Sequence, residues 1–124
     1  MAQIAEIVKV EAPASAPAGG QVIVDVHVKN LALAPGGYND IAVSGVYDST
    51  QLPFQFDYLN VAPQETVVFR GWFTMSSKKV RVWVWSWYWD GSKWVQDDEK
   101  YVDISLTELR PEFSDMKISD FIRV

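Results

Sequence analysis

The chain has 124 residues, of which 48% are hydrophobic and 14% aromatic, and this composition indicates one folded domain with a substantial core. Its formal net charge of −5 opposes binding to a phosphate backbone, so nucleic acid is not an expected partner. The sequence contains no cysteine, which excludes disulfides and thiolate catalysis. We therefore expect a β-rich fold that is stabilised by packing.

The N-terminal sequence Met-Ala-Gln-Ile-Ala-Glu-Ile lacks the basic start and the apolar core of a signal peptide. No apolar run approaches the ~20 residues that span a bilayer. The sequence therefore predicts neither a secretion signal nor membrane insertion. The localisation stays open, with a virion and the cell surface as candidates.

Short strand-like segments separated by clusters of Pro, Gly, Asn and Asp predict a two-sheet, all-β sandwich of about seven strands. The first strand covers residues 4–10 and ends at segment 11–20, which we expect to be a loop because proline cannot donate to a ladder. Residues 21–30 alternate valine with polar residues and predict a half-buried strand. Further strands are predicted at 40–47 and, as a short segment, at 52–58.

In the second half of the chain, residues 65–75 predict a strand in which Gly71 marks a bulge or a close approach. Residues 80–89 predict the next strand. The Asp-Gly pair that follows supplies the positive φ of a tight turn, and the flanking tryptophans can pair across a hairpin. The last strand is predicted at residues 100–106.

Tryptophan occupies every second position in the strand predicted at residues 80–89, namely Trp83, Trp85, Trp87 and Trp89. Period two places these side chains in one row, about 20 Å long, on one face of a strand. The opposite face carries Val82 and Val84, which match the aliphatic rows of other strands, so we favour the outer face for the tryptophans. The alternative is a core position with hydrogen-bonded indole N–H groups.

An outward row of indoles is a large apolar patch, and monomers rarely leave such patches uncovered. The predicted interaction surface consists of Trp83, Trp85, Trp87, Trp89, Trp94 and Tyr101. Three covers are considered, in this order: the C-terminal part of the chain, a neighbouring subunit, and a sugar stacked on the indoles. In the last case the chain is a carbohydrate-binding module with Trp83, Trp85, Trp87 and Trp94 as its platform.

The sandwich is expected to span residues 1–108, followed by a C-terminal extension over residues 109–124. The extension is too apolar for a solvated tail, so we expect it to pack on its own or a neighbouring subunit. Its predicted contact residues are Phe113, Met116, Ile118, Phe121 and Ile122. Pro111 excludes a continuous helix through this segment.

Residues 17–30, 59–69 and 73–80 contain turn residues next to alternating strand residues. These stretches resemble bacterial and archaeal immunoglobulin-like modules of the cell-adhesion-related type, called CARDB-like, and the resemblance covers residues 4–106. It implies an immunoglobulin-like, two-sheet antiparallel sandwich with a structural, adhesive or assembly role and no catalytic residues. Residues 111–121 also resemble the opening strand of a following module, so a tandem array is an alternative to a single module.

The titratable residues form no recognisable active site or metal site. Asp97, Asp98 and Glu99 lack the alternate spacing of a calcium loop, and we expect solvated charges at a sheet edge. His27, the one histidine, lies between polar residues of its strand and is expected at the surface. We therefore predict no metal, no cofactor and no enzymatic activity.

Together these features favour a structural module that makes protein contacts, with itself or with neighbouring subunits, inside a larger assembly. A virus particle fits this description well, and a cell-surface adhesin fits it nearly as well. A glycan is the alternative partner.

Overall fold

The computed structural model describes residues 3–107, and within this range the chain forms nine strands. They are β1 (Ala5–Glu11), β2 (Ser15–Pro17), β3 (Gln21–Asn30), β4 (Asn39–Tyr47), β5 (Thr50–Gln51), β6 (Leu59–Val61), β7 (Thr66–Thr74), β8 (Val80–Trp89) and β9 (Trp94–Thr107). No helix in the described range is long and apolar enough to cross a membrane. The all-β class predicted from the sequence is confirmed.

The strands form two sheets that enclose one core. One sheet has three strands in the order β1-β3-β7, and the other has six, in the order β2-β9-β8-β4-β5 with β6 beside β4. Every paired strand is antiparallel to its neighbour except β2, which runs parallel to β9. This is the predicted immunoglobulin-like sandwich, with nine strands instead of about seven because the sequence pattern does not reveal the very short strands.

The core is built from the inward residue of each pleat. The valines of β3 occupy every second position, between half-buried Ile23, Asp25 and His27, and are 0% exposed. Opposite them, β8 contributes Val80, Val82 and Val84, and β7 contributes Phe69. Because β-branched residues pack well on a pleated surface, this alternation determines which face of each strand is buried.

Gly71 of β7 is a point of close approach, as the sequence predicts. A Cβ atom on Gly71 would lie 2.9 Å from Cε1 of Phe54. The chain crosses β7 here, and the Trp72 N–H donates to the Pro53 carbonyl at 3.3 Å. The predicted strand over residues 52–58 is wrong, because Pro53 has no N–H to donate and only an isolated bridge joins Phe54 to Gly71.

The segment over residues 11–20, predicted to be a loop, contains β2. Its three residues pair in parallel with Ser105, Leu106 and Thr107 of β9. Ala16 is buried by this pairing, at 5% exposure. Proline is tolerated in β2 because β2 is an edge strand with a partner on one side only.

Asn30, at the end of β3, is a fully buried polar residue that connects the loops at one end of the sandwich. Its Nδ2 donates to the carbonyls of Gly37 and Val61, at 2.8 and 2.9 Å. Its Oδ1 accepts from the Ala32 N–H at 3.0 Å and from Asn39 Nδ2 at 3.2 Å. The amide is therefore satisfied on both sides, as a buried polar group requires.

Candidate interaction surface

The tryptophans of β8 lie on the outer face of the six-stranded sheet. Val84, which lies between Trp83 and Trp85 in sequence, is 0% exposed and faces the core. Trp83, Trp85 and Trp87 are half-buried, and Trp89 is 38% exposed. The outward orientation favoured from the sequence agrees with the structure, because the small valines fit the narrow space between the sheets and the larger indoles take the face with no opposing sheet.

Neighbouring segments add outward aromatic residues to this row. Trp83 lies opposite Tyr101 of β9, and Trp89 lies opposite Trp94. Tyr58, which precedes β6, has its ring centroid 6.0 Å from that of Trp94. The whole set, which we call the tryptophan face, consists of Trp83, Trp85, Trp87, Trp89, Trp94, Tyr101 and Tyr58. The structure thus places the six residues named from the sequence on one surface and adds a seventh.

Aromatic rings at one end of the tryptophan face contact each other and a charged pair. The Trp83 and Trp85 rings are stacked, with centroids 6.5 Å apart and planes 13° apart, and Tyr101 lies 4.9 Å from Trp83. The Arg81 guanidinium lies 4.1 Å from the Tyr101 centroid and donates to both carboxylate oxygens of Asp103. This hydrogen bonding lowers the pKa of Asp103.

Two of the indole N–H groups are already hydrogen-bonded within the sheet. Trp85 Nε1 donates to Glu99 Oε1 at 2.7 Å, and Trp87 Nε1 donates to Ser44 Oγ at 2.9 Å. These bonds orient both rings from neighbouring strands. The part of each ring that remains available to a partner is its apolar surface.

A shallow groove of about 460 Å³ lies beside the tryptophan face, where Tyr58 approaches β8. Its lining consists of Ala42, Val43, Ser44, Asp57, Tyr58, Trp87 and Trp94. Three aromatic rings form most of its walls, and Asp57 supplies its one carboxylate. The groove can therefore accept a flat apolar group with a polar atom at its rim.

The acidic residues at the start of β9 hold β1 in place. Asp97 Oδ2 accepts the N–H of Ile4 at 2.7 Å and also that of Ala5, and Asp98 Oδ2 accepts the N–H of Ile7 at 2.8 Å. Glu99 binds Trp85, as described above. The expectation of solvated edge charges is wrong, because these carboxylates satisfy backbone and indole donors.

Ser86, the buried polar residue of β8, joins the same contacts. Its Oγ donates to the Ala5 carbonyl at 2.6 Å and accepts from the Asp98 N–H at 3.1 Å. The β8–β9 register shifts between Ser86 and Trp87, which places Asp97 and Asp98 at this point. We call Ser86, Asp97 and Asp98 the β1 anchor, since together they bind the edge of β1 that does not face β3.

The titratable residues of the three-stranded sheet lie away from the tryptophan face. His27 of β3 contacts the Glu11 carboxylate, and Asp25 accepts two hydrogen bonds from Arg70, at 2.9 and 3.0 Å. The Arg70 guanidinium lowers the pKa of Asp25. Between residues 3 and 107, no three acidic, imidazole or thiol side chains are grouped so that they could hold a metal ion.

Neither the comparison with protein-family models nor the search of curated proteins finds a match. Among solved structures, the chain is similar to the CARDB domain of a protein from Pyrococcus furiosus, determined in complex with di-metal ions, with a TM-score of 0.59 and 15% sequence identity. The match covers 86% of this chain and 96% of that one. This chain has a CARDB-like fold. The resemblance seen in the sequence is therefore confirmed for the architecture of the domain.

Sequence reasoning missed Ser44 and Tyr58. Ser44 reaches the tryptophan face from β4, and Tyr58 reaches it from the irregular segment before β6. No periodic pattern marks such residues; only the register of β4 against β8 places Ser44 beside the indoles. β9 ends at Thr107, so the predicted extension over residues 109–124 lies outside the described residues. The same holds for its predicted contact residues, Phe113, Met116, Ile118, Phe121 and Ile122.

Proposed function

We propose that this CARDB-like domain is a non-enzymatic interaction module that binds protein through the tryptophan face. The partner is another protein surface in a larger assembly, of the kind that builds virus particles or cell-surface adhesins. The simplest such partner, and the one we propose to test, is a second copy of the chain.

The observation that carries this proposal is the arrangement of the indoles. They form a continuous aromatic surface. Stacking of Trp83 on Trp85 and the indole hydrogen bonds to Glu99 and Ser44 fix the orientation of these rings. Side chains that are already ordered lose little conformational entropy on binding, and Trp and Tyr are the residues most enriched at interface hot spots. A rigid aromatic surface therefore suits protein contacts.

Charged residues border the aromatic surface. Arg81 and Asp103 form an ion pair beside Tyr101, and Glu99, whose carboxylate accepts the Trp85 N–H, lies two residues before Tyr101 on the same face of β9. An apolar centre with a charged rim of both signs is the usual anatomy of a protein interface. The mixed signs also favour a second copy of the chain, because a self-complementary contact can place each charge near its opposite.

A catalytic role has less support. His27 lies on the other sheet and contacts Glu11, and Asp97 and Asp98 accept backbone N–H groups of β1. General acid–base catalysis needs a titratable group within reach of a bound substrate. These groups instead serve the fold, which supports a binding function.

Replacing Trp94 with serine tests the protein-binding proposal. We expect the intact chain to self-associate with increasing concentration in sedimentation velocity, with the tryptophans becoming less accessible to iodide. Trp94→Ser removes an exposed ring of the tryptophan face and is expected to raise the dissociation constant at least about tenfold, the effect of a moderate hot spot.

The matched control is Trp72→Ser. Trp72 is also 38% exposed but lies on the outer face of the three-stranded sheet, so its loss should leave self-association unchanged. A chain that stays monomeric at hundreds of micromolar, or equal effects of the two variants, would contradict self-association through the tryptophan face.

A second candidate function is carbohydrate binding, favoured by the groove between Trp87, Trp94 and Tyr58. A sugar ring can stack on the indoles while Asp57 accepts hydrogen bonds from its hydroxyls. Titration with neutral oligosaccharides, read by tryptophan fluorescence, tests this candidate. A saturable change in a monomeric chain, lost in Trp94→Ser and kept in Trp72→Ser, would replace the protein-binding proposal.

A further inference from the structure

The edge of β4 that faces away from β8 is paired only at its two ends. β6 pairs with the start of β4, where Leu59 lies opposite Ile41. β5 pairs with the end of β4, next to the point where the Leu52 N–H donates to the Gly45 carbonyl at 2.8 Å. Ile41 and Gly45 are about 13 Å apart along the strand, and Val43 lies midway between them. We call this unpaired stretch of the edge, centred on Val43, the β4 gap.

The backbone N–H and C=O of Val43 point into the β4 gap. Along an antiparallel strand, residues that bond to one neighbour alternate with residues whose backbone groups face the opposite side. The Gly45 carbonyl faces Leu52, so the backbone groups of Val43, two residues earlier, face that side as well. Its pair with Ser86 of β8 is therefore one that exchanges no hydrogen bonds. Neither β5 nor β6 reaches Val43, and no hydrogen bond between the described residues uses its N–H or C=O.

The chain between β5 and β6 leaves the gap open because it is bound to the other sheet. The Trp72 N–H donates to the Pro53 carbonyl at 3.3 Å, and the Gln55 N–H donates to the Arg70 carbonyl at 2.9 Å. These two bonds hold the segment against β7. Pro53 also has no N–H that could bind the Val43 carbonyl. The β4 gap therefore follows from the way in which the chain crosses between the sheets.

Two cavities meet at the β4 gap. One has a volume of about 340 Å³, and the other is the groove of about 460 Å³ beside the tryptophan face. Val43, Ser44 and Asp57 line both cavities, and Phe54 and Phe56 add aromatic walls to the first. Both volumes lie within the range of ligand-binding clefts. The free donor and acceptor of Val43 are thus located where two aromatic cavities join.

An extended peptide is the ligand whose own groups match this arrangement. One residue of such a peptide carries an N–H and a C=O on the same side, at the spacing that Val43 presents, as when a strand is added to a sheet edge. The side chains before and after that residue would lie on the outer face of the sheet, where Tyr58 and Trp94 line the groove. Among the residues that line the two cavities, Asp57 is the one charged side chain. Charge complementarity therefore favours a basic peptide.

We propose that the β4 gap binds an extended peptide segment of a partner protein. One residue of the segment pairs with the backbone of Val43, an aromatic or apolar side chain packs on Tyr58 and Trp94, and a lysine or arginine lies near Asp57. The proposal rests on the pairing of β4 and on the two cavities. It does not depend on self-association through the tryptophan face.

Hydrogen exchange of the free chain, measured by NMR, tests the gap itself. Ala42 and Ser44 lie opposite Trp87 and Trp85 of β8, at positions that exchange hydrogen bonds. We expect the Val43 N–H to exchange at least about tenfold faster than the N–H groups of Ala42 and Ser44, because only Val43 lacks a partner. Equal protection of the three N–H groups would show that the gap is closed, and the proposal would then be wrong.

A library of acetylated and amidated hexapeptides, with lysine fixed at one position and the other positions varied, is the probe for binding. The isotope-labelled chain is kept at a concentration at which sedimentation velocity shows a monomer. We expect peptides with an aromatic residue near the lysine to bind with dissociation constants below about 1 mM. Binding should shift the Val43 amide resonance and slow its hydrogen exchange. If no peptide of the library does so, the proposal is wrong.

Methylation of single peptide nitrogens tests the pairing with Val43. We expect one methyl group, at the residue opposite Val43, to weaken binding at least about tenfold, because it removes the donor to the Val43 carbonyl. Methylation of the adjacent residue is the matched control and should have a small effect, since its N–H faces away from β4. Equal losses at adjacent positions, or no loss at any position, would contradict pairing with a strand edge.

The substitution Asp57→Asn tests the charge of the groove. We expect it to weaken binding of the lysine peptide about two- to fivefold, the effect of an exposed ion pair. Asp48→Asn is the matched control, because Asp48 is also exposed but lies in the turn between β4 and β5. Equal effects of the two variants would show that the peptide does not lie beside Asp57 and would overturn the proposed mode of binding.

Neutral oligosaccharides provide the competing outcome. If they protect the Val43 N–H and no peptide does, the gap binds a sugar and the peptide proposal is wrong. All of these measurements use the monomeric chain, so a failure of self-association through the tryptophan face would leave them unchanged.

Discussion

At the scale of single residues, Asn30 shows how one buried amide fixes a set of loops. Its two donors and its oxygen reach four groups, from the segment after β3, from the start of β4 and from β6. Because the side chain is 0% exposed, water cannot replace a lost partner. The arrangement therefore requires an amide, with donors on one side and an acceptor on the other.

Replacing Asn30 with aspartate should destabilise the domain by at least about 2 to 3 kcal/mol, because the new carboxylate faces the Gly37 and Val61 carbonyl oxygens without a donor. Urea unfolding at neutral pH measures this loss. Gln55→Glu, the same chemical change at an exposed position, is the control and should stay within about 0.5 kcal/mol. Similar losses for both variants would show that the network around Asn30 contributes little.

At the scale of elements, the register shift between β8 and β9 determines which residues share a face. The hairpin pairs Trp89 with Trp94, and a ladder without a shift would place Tyr101 opposite Val82, on the core side. In the structure one extra residue of β9 moves Tyr101 opposite Trp83, on the outer face. The shift therefore creates part of the tryptophan face.

This register shift could not be predicted from the sequence, although the strands on both sides of it could. The hairpin follows from Asp-Gly between two tryptophans, and the outward position of Tyr101 follows from alternation in the last strand. The shift begins at Ser86, whose hydroxyl donates to the Ala5 carbonyl of the opposite sheet. Contacts between residues so far apart in sequence leave no local pattern.

Replacing Ser86 with alanine tests the β1 anchor. The variant leaves the Ala5 carbonyl and the Asp98 N–H without their partner, so the free energy of unfolding should fall by about 1 to 3 kcal/mol. Hydrogen exchange should accelerate at the amides of β1 more than at those of β3. Ser105→Ala, at an exposed position of β9, is the control for loss of a hydroxyl. Unchanged exchange in β1 would contradict the anchoring role.

At the scale of the whole molecule, the two outer faces of the sandwich differ in chemistry. The three-stranded sheet presents polar pairs, including the Arg70–Asp25 ion pair and the contact of His27 with Glu11. The six-stranded sheet presents the tryptophan face. The outer face of the three-stranded sheet thus combines these polar pairs with exposed Trp72 and Val68, whereas the outer face of the six-stranded sheet is mainly aromatic.

The sandwich and its inward faces could be predicted because valine alternation is a local signal, as in β3. The short strands β2 and β5 could not be predicted, because each forms only by pairing with a longer strand. β2 pairs with β9, which is distant in sequence, and β5 pairs with the end of β4 across a tight turn. The tryptophans of the candidate site were found by period two, whereas Tyr58 and Ser44 reach it only through tertiary contacts. The local sequence pattern thus identifies which face of each strand is buried, whereas the full set of residues at the candidate site depends on the pairing of segments that are distant in sequence.

The free energy of unfolding should fall in acid, because protonation of Asp25 and Asp103 removes their ion pairs with Arg70 and Arg81. The Arg70 guanidinium lowers the pKa of Asp25 below its ordinary value of 3.8, and Arg81 acts in the same direction on Asp103. A carboxyl with a lowered pKa binds protons more readily in the unfolded chain. Its stabilising contribution is therefore complete above about pH 4 and disappears as the pH falls through the lower, folded-state pKa.

Comparing the intact chain with Asp25→Asn from pH 7 to pH 2 measures this contribution. The asparagine variant should unfold at a lower temperature near neutral pH, and the difference should shrink below pH 3.8, where Asp25 of the intact chain also becomes protonated. Added salt at about 1 M should reduce the difference at neutral pH, because it screens a surface ion pair. A difference in unfolding temperature that stays constant down to pH 2 would contradict this prediction. It would show that Asp25 stabilises the sheet through packing and not through its charge.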